Sequence, residues 1–450
     1  MIAILGGGIT AIAAAVELKK QGKDFILIEK SNRLGGKIQS ATLEGYHLEF
    51  GPNTVLINHP ETKAFLEYLN LYDKRLQPDA QAIKKRFVLK KGKIEPIPYS
   101  FGSLLKSKLF GLSTIFSMLK EPSKRAKKSK EEESLADFSR RRFGTQIYDD
   151  LITPFVSGIY AGDPEKMSLR YTMPLLHQAE QKFGSVVKGM PKLIKEKRES
   201  QSAYNMPKQK IFSFEKGLQS MVDVAAKKIK DELSLNTEIK SIETSEEKYV
   251  LKLSNAEGDL EMSVDQLICT LPAHRLVTIL SFDSSFKSAI KQVNYVPAGV
   301  RDLVFPKSRW RFKRKAFGLL SRKAESEPWL GILFNSEFFP QQQRTDDILL
   351  TVISGGYRQT DFINLSDQEI LKKLNESINR IGLANGEAAF HHIYRWEKAI
   401  PQYEVGYAEL EAEMKRFEKE NPRIKIAGNY YKGVSVSDCI ANGTKLAREI

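Results

Sequence analysis

The first 38 residues, MIAILGGGITAIAAAVELKKQGKDFILIEKSNRLGGKI, read as one complete phosphate-binding βαβ unit with an acid at its end. Ile2 to Leu5 is an apolar run suited to a buried parallel strand, and Gly6, Gly8 and Ala11 fill the small-residue positions of a G-x-G-x-x-G/A turn. The glycines let the backbone turn tightly and approach a pyrophosphate, while Ala11 permits close packing of helix on strand. A helix from about Ile9 to Gln21 then directs its positive end at that pyrophosphate. Phe25 to Ile28 is the second strand, and Glu29 ends it about 20 residues after the glycines, where a carboxylate accepts ribose hydroxyls. Strand, turn, helix, strand and acid in this order predict a dinucleotide site lined by Gly6, Gly7, Gly8, Ile9, Thr10, Ala11, Glu29 and Lys30.

The continuation Glu29-x-x-x-Arg33-x-Gly35-Gly36 resembles the extension seen in FAD-containing amine oxidases, carotenoid desaturases and protoporphyrinogen oxidases. That resemblance favours FAD over NAD, and it implies that Arg33, Gly36 and Lys37 lie along the cofactor's phosphates and ribityl chain. Read from the residues alone, an ordinary turn at Gly35-Gly36 and a solvated Arg33 stay open as the alternative.

At 450 residues the chain exceeds what one hydrophobic core usually supports, so two or three domains are expected. Its 41% hydrophobic content excludes a disordered chain. Cys269 and Cys439 cannot build a disulfide framework, which suits a reducing, cytoplasmic compartment. The six histidines lack metal-ligand spacing, so no metal is expected. A chain opening directly on a strand is expected to carry no signal peptide, and no apolar stretch approaches the ~20 residues needed to span a bilayer.

The longest apolar stretch, Leu109 to Leu119, has 11 residues and reads as a helix on a membrane surface or as a buried core helix. Between Lys106 and Arg142, eleven Lys and Arg face five Asp and Glu, so much of the net charge of +15 is concentrated there. The run PSKRAKKSK beside an apolar helix suggests peripheral attachment to anionic lipid, where each near-surface cation contributes about 1 kcal/mol. A solvated loop is the alternative. Nucleic acid is a weaker explanation, because aromatic stacking positions are not interleaved with the charge.

Further along, Ile211 to Ala226 reads as strand, glycine turn and helix, followed by strands at Leu235 to Ile242, Tyr249 to Leu253 and Asp265 to Leu271. From about 280 to 420, strand-like stretches such as Asp347 to Ile353 alternate with helices such as Asp367 to Ile381, and Ile424 to Ile450 is strand, glycine loop and helix. The expected fold is α/β: a discontinuous FAD-binding Rossmann-like domain of the GR2 type, a mixed-sheet substrate domain and an inserted helical domain. The nucleotide lobe would take residues 1–79, 206–280 and 421–450, the helical, membrane-facing region 80–205, and the substrate lobe 281–420.

The tail, Ala427-Gly428-Asn429-Tyr430-Tyr431-Lys432-Gly433-Val434-Ser435-Val436-Ser437-Asp438-Cys439-Ile440, resembles the flavin-contacting motif of oxygen-dependent protoporphyrinogen oxidases. Three internal stretches match the same family: Leu48-Glu49-Phe50-Gly51-Pro52-Asn53, the Pro154-Phe155-Val156-Ser157-Gly158-Ile159-Tyr160-Ala161-Gly162-Asp163 run, and Ile400-Pro401-Gln402-Tyr403. The resemblance extends from residue 1 to about 445, and it is poorest in the Lys-rich region and in residues 285 to 325. It implies cofactor contacts at Gly51, Pro52, Asn53, Thr54, Ile239, Gly428, Val434, Ser435 and Val436, and substrate contacts at Arg86, Gly158, Leu333 and Ile353. Arg86 matches a family arginine that approaches a substrate propionate, a task to which a planar bidentate fork is suited. Leu333 and Ile353 match positions that sandwich the macrocycle, the second of which is often phenylalanine in the family.

The activity implied is FAD-dependent oxidation of protoporphyrinogen to protoporphyrin by dioxygen. The cofactor carries the redox chemistry and the protein supplies orientation and electrostatics, so no general base is named. Association with the inner face of the membrane, self-association as a homodimer and hand-off to a downstream chelatase complete that expectation. Three alternatives stay open at this point: a coproporphyrinogen oxidase, for which Lys84 and Lys85 beside Arg86 leave room; an amine oxidase or carotenoid desaturase; and a flavin-binding adaptor that passes tetrapyrroles on without oxidising them.

Overall fold

The structure, a computed structural model, describes the whole chain except residues 99–100, 106, 128–130, 209, 246–247 and 344. Its principal strands are β1 (Ile2–Leu5), β2 (Phe25–Ile28), β3 (Arg86–Lys90), β4 (Lys93–Pro96), β5 (Leu233–Ser234) and β6 (Gln266–Cys269) in the first part of the chain. The second part adds β7 (Tyr295–Phe305), β8 (Gly318–Ser321), β9 (Gly331–Leu333), β10 (Ile348–Gly355), β11 (Phe390–Pro401) and β12 (Ile424–Ile426). The helices used below are α1 (Ile9–Lys20), α2 (Leu112–Lys120), α3 (Thr153–Tyr160), α4 (Asp367–Arg380) and α5 (Val436–Arg448).

Five strands form a parallel sheet in the order β12-β6-β1-β2-β5. All four residues of β1 are buried, because helices or a second layer cover both faces. Every residue of α1 from Ile9 to Leu18 is buried, and four alanines keep it slim enough to fit between the sheet and α5. At Gly443 an added Cβ would overlap the Thr10 carbonyl oxygen, so only a glycine lets α5 cross α1 at this separation. Since β2 and β6 flank β1 on opposite sides, the crevice at the carboxyl end of β1 is the switch point where such sheets take ligands.

A seven-stranded sheet, β11-β7-β10-β9-β8-β3-β4, makes the second lobe, antiparallel throughout except for the β8–β3 pair. On one face Phe87, Leu319, Ile332 and Val352 join Ile370, Leu374 and Ile378 of α4 in a closed core. The opposite face turns toward the nucleotide lobe and the helices of residues 101–203. A π-helical turn at Tyr148–Ile152 leads directly into α3, which packs against β8 and β9.

Most expected elements are present within a residue or two, with two instructive differences. The single strand expected at Leu235 to Ile242 is divided, because Asn236 turns the chain at φ +52°; Leu233–Ser234 pairs with β2, and a new antiparallel hairpin starts at Glu238. The apolar Leu109–Leu119 stretch becomes helical only at Leu112, after Gly111, while Leu109 and Phe110 are buried ahead of it. Lys106 and residues 128–130 of the PSKRAKKSK run lie outside the described residues. Several of the other cations face inward. Arg142 is fully buried against Glu121, Arg141 pairs with Glu133 and Glu180 at 2.8 Å each, and Lys124 donates to the Arg142 carbonyl at 2.8 Å. The local excess of charge in the sequence therefore overstates the charge this region shows to solvent.

Candidate functional site

The turn after β1 uses its three glycines differently. Gly6 adopts φ +98°, which favours glycine. A Cβ on Gly7 would lie 2.7 Å from Leu34 and 2.8 Å from Glu29, so space alone demands its glycine. A Cβ on Gly8 would meet nothing within 4 Å. Gly8 also caps α1 and, as a glycine, brings no side-chain acceptor to the first-turn N–H groups of Ile9, Thr10 and Ala11. An open space at an uncapped helix start is what a pyrophosphate requires.

Around this turn the neighbouring loops close in. Gly35 donates its N–H to the Gly7 carbonyl at 2.8 Å, and Gly36 rests on Gly8 at φ +56°. Glu29 accepts N–H bonds from Gly7 at 2.6 Å and Ser31 at 2.9 Å, and a third from the Ser31 hydroxyl; Lys30 beside it is exposed. Ile239 is buried in the core with Leu5, Ile28 and Leu253. The Arg33 terminal nitrogens donate to the carbonyls of Leu34, Ile38 and Gly36 and to Gln39. It therefore binds its own loop together, beside the Gly36 that rests on Gly8.

Farther along, Gly51 packs so tightly on Lys37 that a Cβ would collide with the Lys37 carbonyl oxygen. The Lys37 ammonium donates to the Lys398 carbonyl at 2.6 Å and lies 4.5 Å from the Trp396 ring, and burial lowers its pKa to about 8. Trp396 in turn donates to the Phe50 carbonyl at 2.6 Å. Pro52 and Thr54 are half-buried, and the buried Asn53 accepts from Asn335 at 2.9 Å, tying this loop to the second lobe.

The tail completes the enclosure. Gly428 lies at φ +151° with Tyr430 against it, and Val434, Ser435 and Val436 lead half-buried into α5. Ser435 and Asp438 form a capping box. Burial works to raise the Asp438 pKa, but hydrogen bonds from His59 and Ser435 outweigh it and hold the carboxyl below its usual value. Tyr403 staples the loop, its hydroxyl donating to the Asn429 carbonyl at 2.9 Å and accepting from the Gly433 N–H at 3.0 Å. Trp396, Asn335 and Thr270, which donates to the Leu5 carbonyl at 2.9 Å, were not singled out by sequence, and Tyr403 was noted only as part of a family-matching stretch. For Thr270 the available signal was its place directly after the buried run of β6.

The four expected substrate residues come together on the open face of the seven-stranded sheet. Register aligns Arg86, Gly318, Leu333, Thr351, Asp302 and His392 in one row across six strands. The next row holds Leu320, Gly331, Ile353 and Val300. Leu320, Leu333 and Ile353 are half-buried where every residue beside them on these three strands is buried, and Gly331 and Gly318 leave the surface between them low. Gly158 of α3 faces Leu320; a Cβ there would overlap the leucine's Cδ2. Arg86 stands exposed at the end of the row, 4.8 Å from the Phe317 ring, with no carboxylate in ion-pair range among the described residues. The result is an apolar slot with one cation at its rim, which donates to the Ile83 carbonyl at 3.0 Å and keeps its remaining nitrogens free of any carboxylate among the described residues.

A dinucleotide fits the first part of this site on the evidence of the space at Gly8, the uncapped start of α1 and the orientation of Glu29. The flavin-containing amine oxidoreductase family model matches residues 12–450. Protoporphyrinogen oxidase 2 of Arabidopsis thaliana is 29% identical over 99% of this chain and 92% of its own length. The coproporphyrinogen III oxidase of Bacillus subtilis is 28% identical over 98% of this chain and 96% of its own length. Among solved structures, one from Exiguobacterium sp., named provisionally as a protoporphyrinogen oxidase, superposes with a TM-score of 0.84 at 22% identity, covering 99% of this chain and 97% of that one. A nucleotide cradle of this geometry, together with a family match over residues 12–450, means that this chain belongs to the flavin-containing amine oxidoreductases.

Proposed function

We propose that this chain is an FAD-dependent porphyrinogen oxidase that converts protoporphyrinogen IX to protoporphyrin IX, with dioxygen as terminal acceptor and hydrogen peroxide as the second product. The observation that carries the reading is the slot: an unpaired Arg86 in strand register with half-open leucine and isoleucine positions. A porphyrinogen is a large apolar ring with propionates at its edge, and it needs those two features side by side. Bound flavin supplies the two-electron acceptor. The Gly6–Ala11 turn and Glu29 hold its nucleotide end, and Gly51 to Thr54, Lys37 and the Gly428–Val436 loop enclose the rest. Arg33 acts by fixing the Gly35-Gly36 turn. Arg86 anchors a propionate, Leu333 and Ile353 flank the ring, and Gly158 borders the slot from the last turn of α3, where helix carbonyls run out of N–H partners and can accept from pyrrole N–H groups.

Anaerobic mixing of the yellow protein with protoporphyrinogen tests this: the flavin should bleach, and fluorescent porphyrin should appear once air is admitted. A flavin that stays yellow with both protoporphyrinogen and coproporphyrinogen rejects the reading. Coproporphyrinogen is the second candidate substrate, favoured by exposed Lys84 and Lys85 beside Arg86, which suit its two additional carboxylates.

Peripheral attachment to an anionic membrane belongs to the same proposal. Among the described residues no helix is long and apolar enough to cross a membrane. Leu112, Phe116 and Leu119 on one face of α2 are 86%, 57% and 57% exposed, an outward apolar stripe at i, i+4, i+7 spacing. Sedimentation with anionic vesicles should be lost in the Leu112→Glu, Phe116→Glu double variant and kept by the unaltered protein. The same proposal includes a cytoplasmic site on the inner membrane face, self-association as a homodimer and delivery of product to a chelatase.

A further inference from the structure

Between α4 and residues 356–364 lies a cavity of about 550 Å³, on the closed-core side of the seven-stranded sheet and away from the slot. Arg358, Gln359, Thr360 and Phe362 line it from one side, Lys373 and Arg380 from α4. Behind Phe362, Arg301 of β7 is fully buried, its guanidinium folded over Gly299 and 5.4 Å from the Phe362 ring. None of the three Arg301 nitrogens has a hydrogen-bond acceptor among the described residues. Among the described residues Arg358 donates to the Ser321 carbonyl at 2.8 Å, while its Nε and second terminal nitrogen are buried without an acceptor there.

Carboxylates nearby do not hydrogen-bond these guanidiniums, although the charge of Asp367 acts on Arg301 from a longer range. Glu327 is engaged by Ser377 at 2.5 Å and Arg380 at 2.6 Å, and Asp367 by Arg395 at 2.5 Å. Asp361 and Glu376 line the cavity itself, and neither pairs with Arg301 or Arg358. Burial lowers the Arg301 pKa to about 10, so at neutral pH it keeps its charge. A buried cation without a counterion is strongly unfavourable, and where a fold retains one, an ion or ligand commonly completes it.

We propose that this cavity is an oxyanion site that takes the carboxylate or phosphate of a small molecule. Arg358 is its principal donor and Lys373 its outer charge, while Arg301, behind Phe362 and outside the lining, adds positive potential without contact. Pro328 and Leu365 in the lining give the rest of that molecule an apolar surface. The site uses no residue of the nucleotide cradle or the slot, so it stands independently of the porphyrinogen reading.

The test uses flavin-loaded protein, so that phosphate cannot enter the cradle at Gly8. Calorimetry with sodium phosphate and with sodium acetate, against sodium chloride at matched ionic strength, should show saturable binding of at least one oxyanion. The tighter of the two identifies the source as phosphorylated or carboxylated. Measured in an Arg86→Gln background, so that the cation of the slot takes no oxyanion, Arg358→Gln should weaken binding by about tenfold or more and Lys373→Gln by about threefold. If Arg358→Gln fails to fold, Lys373→Gln, at an exposed helix position, carries the test. Equal responses to all three salts, or full affinity in the variants that lose a cavity cation, would overturn the proposal.

Discussion

Lys37 shows how one side chain in this site responds to its surroundings. Burial moves its pKa from 10.5 to about 8 despite the favourable face of Trp396 4.5 Å away. Between those two values the unfolded chain binds more protons than the folded one, so the Lys37 contribution to stability rises with pH across that window. Below about pH 8 both states are protonated and the contribution is constant. In denaturant titrations the stability difference between the unaltered protein and Lys37→Met should therefore be flat near neutral pH and grow in favour of the unaltered protein from about 8 to 10.5. A difference that does not change with pH would mean the ammonium is not desolvated. Residue identity carried much of this site in advance, since the glycine spacing and Glu29 are legible from backbone requirements alone. The destination of a long flexible side chain is not, and Arg33 is the example: spacing located it at the right loop, and only the positions of three carbonyls show that it binds the loop to itself.

At the scale of elements, the closest approach in the nucleotide lobe is between α1 and α5. Gly443 makes it by presenting no side chain to the Thr10 carbonyl. Gly443→Ala should push α5 outward and destabilise the protein by about 1–3 kcal/mol, the usual range for overpacking. Because Thr10 belongs to the glycine turn, flavin should also be lost more readily, read as free flavin released during gel filtration. A melting temperature and flavin content equal to those of the unaltered protein would show that the helices can separate freely. Periodicity and the βαβ pattern were sufficient to locate α1, α4 and most strands. They could not reveal that Gly443 matters, because its partner is more than 400 residues away in sequence and no local rule links them. The divided strand near Asn236 has a similar cause: β5 exists only because β2 is there to pair with it.

Across the whole molecule, the slot depends on a row of residues drawn from six strands. Arg86 was located through family resemblance, and the sheet register explains why it sits in line with Leu333 despite the long interval between them. Arg86→Met should raise KM for porphyrinogen by about tenfold or more, the scale of one lost charged hydrogen bond, with little change in the rate of flavin bleaching at saturation. An unchanged KM would remove Arg86 from the substrate site. The five-stranded sheet has a consequence in time. Its glycine turn is made first, yet β12 and α5, which flank and cover it, come from residues 424–448. At roughly 5–20 residues per second, a ribosome needs on the order of half a minute or more to supply them. During that interval the growing chain carries an unfinished cradle with its apolar helix α1 uncovered, so cofactor capture is a late event and the nascent chain is a natural client for chaperones.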